Sequence, residues 1–363
     1  METILAQCIK ELLQFRRNRL AAALVFLLPL MTMVIFGFAI RLEIKDVPLA
    51  IRDFDNSPLS RGYIEQVFAT NQFKPLAATT KDGTDLLDRG MAQAVIIIPP
   101  NFSRQLQKQK INAIQVLIDG TDVNNARVIQ NSLRATTQFF LEKQGFQIQS
   151  PDVLPHTRIW FNPGRKESLF IVPGVYAVVL FTYPALVTAM AMVREKEQGT
   201  LVQFKASGMS AWEFLLGKVL AYVLIAIGET VLLMGLGAVL FNVWPVGNPW
   251  PLIIGTIVFL MVSVIYGLLV GVYSGQALVA VQSVMNTGLL ASVWLSGFIY
   301  PVENIPWPLS ILADIVAARY YIELTRDAFV FGAGWVRISH VIPILLLLTL
   351  GMFVLSWWKF SRD

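Results

Sequence analysis

Six blocks of apolar residues, each long enough to cross a bilayer, leave few folds open to this sequence. The first reads "LAAALVFLLPLMTMVIFGFAI", Leu20 to Ile40. Five more follow near Phe170–Val193, Val219–Phe241, Leu252–Tyr273, Val279–Ile299 and His340–Trp358. A hydrocarbon core about 30 Å thick takes about 20 apolar residues of helix to cross, and inside it every backbone polar group must be satisfied internally. The expected fold class is an α-helical polytopic membrane protein with six transmembrane helices in a one-plus-five arrangement. Charge content agrees: 15% of residues are charged, against about 25% in soluble domains.

Arg16, Arg17 and Arg19 ahead of the first block would also suit a signal peptide. The block is too long for one, however, and no small-x-small cleavage site follows it. Residues 20–40 read as an uncleaved anchor. Residues 1–19 place Ile4, Leu5, Cys8, Ile9, Leu12 and Leu13 on one helical face, with Glu2, Gln7, Lys10, Glu11 and Gln14 on the other. Such an amphipathic helix suits the cytoplasmic membrane surface or a seat on protein.

Residues 41–168 contain no spanning block and alternate strand-like with helix-like signals. "VPLAIRDFD" (Val47–Asp55) and the run Val95 to Ile98 read as strands, "SPLSRGYIEQVFA" opens on a Ser-Pro helix start, and "NNARVIQNSLRATTQFFLEKQG" has helical spacing up to Gly145. This predicts an inserted α+β domain. Residues 169–363 then form a five-helix transmembrane domain. Lys/Arg placement orients the chain. With the N-terminus inside, the inner segments carry Lys10, Arg16, Arg17, Arg19, Arg194, Lys196, Lys205, Lys218, Lys359 and Arg362, against Arg319, Arg326 and Arg337 in the short outer loops. Both termini are expected in the cytoplasm and the inserted domain outside it.

Catalytic and metal chemistry find little support. One cysteine, Cys8, and two histidines, His156 and His340, leave no disulfide framework and no Cys/His metal set. The formal charge of +5 comes from basic residues beside apolar blocks, a topology signal rather than a nucleic-acid surface. "WEFLLGKVL" has the Gly217-Lys218 pair of a phosphate loop, but Trp212 replaces the first glycine and Val219 the magnesium-binding Ser/Thr. Asp53 and Asp55 fit turn carboxylates better than an acid–base dyad. The chain is expected to be no enzyme by itself.

Polar residues inside the spans are few. Glu229 lies mid-span in "AIGETVLLMG", where a carboxyl is costly. It could meet a cationic substrate, take up a proton, or tie two helices together. Gln282 and Asn286 in the fifth span raise the same alternatives. Ser263, Gly267, Gly271 and Gly275 recur every four residues and leave one face of the fourth span nearly bare, which lets a neighbouring backbone approach within the subunit or at a dimer seam.

The segment 194–218, which joins the second and third spans, is the least expected. "REKEQGT" prolongs the second span as a charged turn that Gly199 breaks. Leu201, Val202, Phe204 and Met209 offer apolar anchors, and Ser210 with Glu213 forms a capping-box signal that restarts a helix. Such an element suits docking of a soluble partner or a seat on the membrane surface. "ILADIVAARYYIELTRDAF", within the outer segment 300–339, is too polar to cross and too apolar for a free loop. Half-inserted helices or a surface amphipathic helix would explain it.

"REKEQGTLVQFKASGMSAWEFLLGKVL" resembles the first cytoplasmic loop of the type-2 permeases of ATP-binding-cassette (ABC) exporters. "GMAQAVIIIPPNFSRQL" (Gly90–Leu106), "VLIDGTDVNNA" (Val116–Ala126), "RIWFNPGRKESLFIVPG" (Arg158–Gly174) and "SGFIYPVENIPWPL" (Ser296–Leu309) resemble the subfamily with a large outer domain, related to multidrug-export permeases. One departure is "FKASGMS", where many relatives have a Leu-Leu-x-(Thr/Ser)-Pro run. The resemblance implies a bacterial inner-membrane permease that moves drug-like or amphipathic molecules, or lipid or glycan. It would work with two copies of a separate ATPase that holds ATP and magnesium and with a second permease, identical or paralogous, while the outer domain would extend the exit route or dock a periplasmic adaptor protein. Arg194, Glu195, Lys196, Glu197, Gly199 and Thr200 would then transmit ATP-driven closure. Ser210, Glu213 and Lys218 would belong to or flank the coupling helix, and the N-terminal helix would make a second contact. An ion-coupled secondary transporter using Glu229 is the alternative of a different class.

Overall fold

The computed structural model describes residues 1–39, 46–76, 83–108, 114–121, 123–145, 166–201 and 208–362. The chain divides into two compact units, residues 1–40 with 159–363, and residues 41–158. It begins with α1 (Glu2–Arg17) and α2 (Arg19–Ala39), whose axes are bent by 77°.

The second unit follows: β1 (Val47–Asp53), α3 (Pro58–Ala69), β2 (Phe73–Leu76), α4 (Gly83–Asp88), β3 (Ala94–Ile98), α5 (Phe102–Gln107), β4 (Gln115–Ile118) and α6 (Val123–Lys143). The sheet order is β2-β1-β3-β4, with β1 parallel to β2 and β3 and β4 antiparallel to β3. Leu49, Ile96 and Ile98 bury against Tyr63, Val67 and Phe102 from the helices, the two-layer solution for a sheet with one apolar face. The Asp53 and Asp55 carboxylates are engaged in the β1–α3 turn and at α5. Asp53 accepts from the backbone of Asp55 and Asn56 and from the Ser60 hydroxyl, and Asp55 accepts from the Ser103 N–H.

The first unit resumes with α7 (Ser168–Glu197), α8 (Ala211–Phe241), α9 (Trp250–Tyr273) and α10 (Ala277–Trp294), the last with a π turn over Val284–Leu289. Short helices follow, α11 (Leu309–Ile315), α12 (Ala317–Arg326) and α13 (Trp335–Ile338), then α14 (Val341–Phe360). Among the described residues, α7, α8, α9, α10 and α14 are long and apolar enough to cross a membrane, and α1 with α2 makes a sixth crossing if the bent pair counts as one.

At the centre of this unit, α7 is buried on most of its surface. Its closest neighbour is α9, and the small residues at four-residue spacing explain why. The Ser263 hydroxyl donates to the Phe181 carbonyl at 2.6 Å. A Cβ at Gly267 would stand 2.1 Å from the Ala185 carbonyl oxygen, and one at Gly271 would stand 2.7 Å from Met192 Cβ. The strip therefore seats α7 inside the subunit. Gly275 lies beyond the end of α9, and a Cβ there would meet no atom within 4 Å.

Within residues 300–339 no helix is long and apolar enough to cross a membrane. In α12, Ala317, Ala318, Tyr321, Ile322 and Leu324 are buried. Tyr321 stacks on Phe259 at 3.9 Å and its hydroxyl meets that of Thr256 at 2.8 Å, while the Thr325 hydroxyl donates to the Pro173 carbonyl. On α11, by contrast, Ile311, Leu312 and Ile315 are exposed. Thus α12 is seated among the long helices, while α11 beside it carries an apolar outer face.

Candidate functional site

The segment that begins at Arg194 is a junction of helix ends. At the end of α7, the Thr200 N–H donates to the Glu195 carbonyl and the Gly199 N–H to the Lys196 carbonyl, both at 3.1 Å. Gly199 adopts φ +68°. This is the paired closure of a Schellman cap, whose left-handed residue favours glycine. Ser210 is the N-cap of α8, and Glu213 accepts its N–H at 3.0 Å and its hydroxyl at 2.5 Å. Ser210–Lys218 is thus the capped start of α8, which continues to Phe241. Val202, Phe204, Lys205 and residues 158–165 lie outside the described residues; Leu201 and Met209 are partly buried on the apolar cluster that contains Phe214 and Leu215.

The four charges "REKE" do different things. Lys196 Nζ donates to the carbonyls of Val272 and Ser274, the latter at 3.2 Å. A cation there complements the negative end of α9. Glu197 Oε1 accepts the Ala277 N–H at 3.0 Å, so a carboxylate sits at the positive end of α10. Glu195 turns inward and is 4% exposed. It lies 2.5 Å from Lys10 Nζ and 3.3 Å from Lys218 Nζ. Lys218, fully buried, lies 2.7 Å from Glu11 Oε1. Tyr222 donates to the other Glu11 oxygen at 3.0 Å, and Gln7 donates to Oε1 at 2.9 Å. The result is a closed clasp of two lysines and two glutamates joining α1, α7 and α8.

Lys10 and Glu11 are the members that sequence reasoning did not place in the site. The helical wheel puts Gln7 and Glu11 on the polar face of α1, expected in water, yet Gln7, Cys8 and Glu11 are its buried residues. Leu5, Ile9 and Leu13 are exposed instead. The signal was present in "GK". A Cβ at Gly217 would stand 2.6 Å from Gln7 Cβ and 3.0 Å from the Ile4 carbonyl. Glycine lets α1 rest on the α8 backbone, and the next residue supplies the cation. At the other end of α1, the Thr3 hydroxyl donates to Glu213 at 2.7 Å. Burial pushes the Glu11 carboxyl up, but the Lys218 and Lys10 ammonium groups outweigh it and hold it below the usual carboxylate value.

The intramembrane polar residues do not converge. Glu229 is 2% exposed and neither of its oxygens has a hydrogen-bond partner. Gln282 and Asn286 lie on the exposed side of α10, Asn286 within the π turn. No cluster of three or more His, Cys, Asp or Glu able to hold a metal occurs among the described residues.

A stack of apolar helices long enough to cross a membrane, with charged ends tied into a junction, defines a polytopic helical membrane protein. The family model described as ABC-2 family transporter protein matches residues 21–358, and the chain belongs to that family. Among its relatives in Escherichia coli K12 is the "Probable multidrug ABC transporter permease YbhS", 26% identical, with the alignment covering 98% of this chain and 96% of that protein. Another is the "Probable multidrug ABC transporter permease YbhR", 27% identical over 94% of this chain and 93% of that one. The "ABC transporter G family member 20" of Dictyostelium discoideum is 20% identical over 93% of this chain but only 48% of its own length.

Proposed function

We propose that this chain is the permease subunit of an ATP-driven exporter. It spans the inner membrane six times with both termini in the cytoplasm, and moves drug-like or amphipathic molecules outward. Two copies of a separate ATPase hold ATP and magnesium, and a second permease, identical or paralogous, completes the path. The unit of residues 41–158 stands on the far side of the membrane and offers a surface to an adaptor protein. Lipid or glycan remains the alternative cargo.

The observation that supports this reading most is the junction at Glu195–Lys218. A push on the start of α8 or on the Gly199 cap reaches α1 through Glu11 and Thr3, α9 through Lys196 and α10 through Glu197. Paired charges at buried helix ends are stiff, so force applied to one helix moves the others with it. In this role Glu195 and Lys218 transmit from inside. Among the described residues, Trp212, 46% exposed, and the capped turn around Gly199 offer surfaces to an ATPase.

The test is ATP hydrolysis by the partner ATPase in reconstituted complexes carrying Glu197→Ala or Trp212→Ala, with assembly recorded alongside turnover. Trp212→Ala should weaken assembly. Glu197→Ala should assemble yet lose export and its stimulation of hydrolysis. If no ATPase associates with the chain, the exporter reading fails, and the unpartnered Glu229 makes an ion-coupled transporter the reading to pursue.

A further inference from the structure

Beside the clasp, α1, α2, α7 and α8 surround a cavity of about 190 Å³. Its walls are Phe15, Leu24, Val25, Leu28, Leu186 and Val187. Leu24 and Leu28 are 41% and 40% exposed, so the wall that α2 provides is open to whatever surrounds the helices. Sites for whole drug-sized molecules run to about 300–1,000 Å³, and an apolar cavity of about 150 Å³ holds a benzene-sized group. This one accepts a segment of a chain.

One end of the cavity is polar. Glu11 reaches it, but both its oxygens are already occupied by Lys218, Gln7 and Tyr222. In the clasp, Lys10 and Lys218 balance Glu11 and Glu195. That leaves Arg194, half-buried on the cavity wall, whose guanidinium joins no ion pair or hydrogen bond among the described residues. Asn18 also lines the cavity, flanked in the α1–α2 turn by exposed Arg16, Arg17 and Arg19. An uncompensated cation over an apolar slot selects an anion that carries a hydrocarbon tail.

We propose that this cavity binds the acyl chain of an anionic membrane phospholipid, with the headgroup phosphate against Arg194 at the α1–α2 turn. Lipid is the occupant because the slot opens at the flank of an apolar span, where acyl chains are the solvent. Anionic headgroups are favoured because a zwitterionic one brings its own cation towards Arg194 and the turn arginines. The bound lipid would brace α1 against α2 and α7, making the clasp sensitive to membrane composition.

The experiment uses the full-length chain in nanodiscs of equal parts phosphatidylglycerol and phosphatidylcholine, with retained lipid read by native mass spectrometry after release into mild detergent. Phosphatidylglycerol should be retained in preference. Arg194→Gln should lower its retention about fivefold, and Arg194→Lys should recover most of it. Leu28→Trp, which fills the slot from its exposed side, should lower retention of both lipids; it serves also if Arg194→Gln does not fold. Equal retention of the two lipids overturns the proposal, as does phosphatidylglycerol retention that Leu28→Trp leaves unchanged. Displacement of the lipid by excess glycerol phosphate would mark a site for soluble anions and overturn it too.

Discussion

Lys218 Nζ lies 2.7 Å from Glu11 Oε1, across 207 residues of sequence, and both side chains are shut away from solvent. The pair pins the N-terminal helix to the start of α8. Removing one partner of a buried ion pair leaves the other charge uncompensated, which costs about 3–5 kcal/mol. Lys218→Met should therefore lower thermal stability in detergent severely. Glu11→Gln should restore part of that loss in the double variant, because one stranded carboxylate is then gone. Additive effects in this double-mutant cycle would mean the pair is not coupled.

The clasp also sets a pH window. Glu11 is held below its ordinary value of 4.5, so its contribution is complete above that value and is lost as pH falls through the depressed one. For Lys10, burial works against the charge, but the hydrogen-bonded Glu195 carboxylate prevails and raises it above 10.5. Its contribution is complete below 10.5 and fades as pH rises through the raised value. Hydrogen exchange of α1 should be flat across neutral pH and accelerate at both extremes. Glu11→Gln should remove the acid limb.

Gly217 and Gly235 sit on the same helix in opposite circumstances. A methyl at Gly217 collides with α1, whereas nothing lies within 4 Å of one at Gly235. Gly217→Ala should destabilise by about 1–3 kcal/mol and speed exchange in α1. Gly235→Ala should stabilise by roughly 0.5–1 kcal/mol through helix propensity. Equal melting shifts for the two would contradict the close seat of α1 on α8.

Both Glu229 oxygens are buried without a partner. An unsatisfied buried polar group costs about 1–3 kcal/mol, so Glu229→Leu should raise the melting temperature. A transport assay on the same variant then separates the alternatives. A more stable but inactive protein marks Glu229 as functional, and a more stable active one marks it as dispensable.

Much of this protein was settled by sequence alone, because water and hydrocarbon sort residues before any tertiary contact forms. The apolar blocks dictated helices for α7, α8, α9, α10 and α14, since a single segment of this length satisfies its own backbone in lipid only as a helix. Gly199 and the Ser210–Glu213 pair marked helix ends because caps are local. The strip from Ser263 to Gly271 announced a close approach. What sequence could not supply was direction: which neighbour filled the strip, and where each charge pointed. Periodicity assigns Gln7 and Glu11 to the polar side of α1 and sends that side to water. The tertiary structure turns it inward, because Lys218 waits there with Gly217 leaving room beside it. A buried charge is stable only beside its opposite, and that opposite lies 207 residues away. Only the fold could bring the two together.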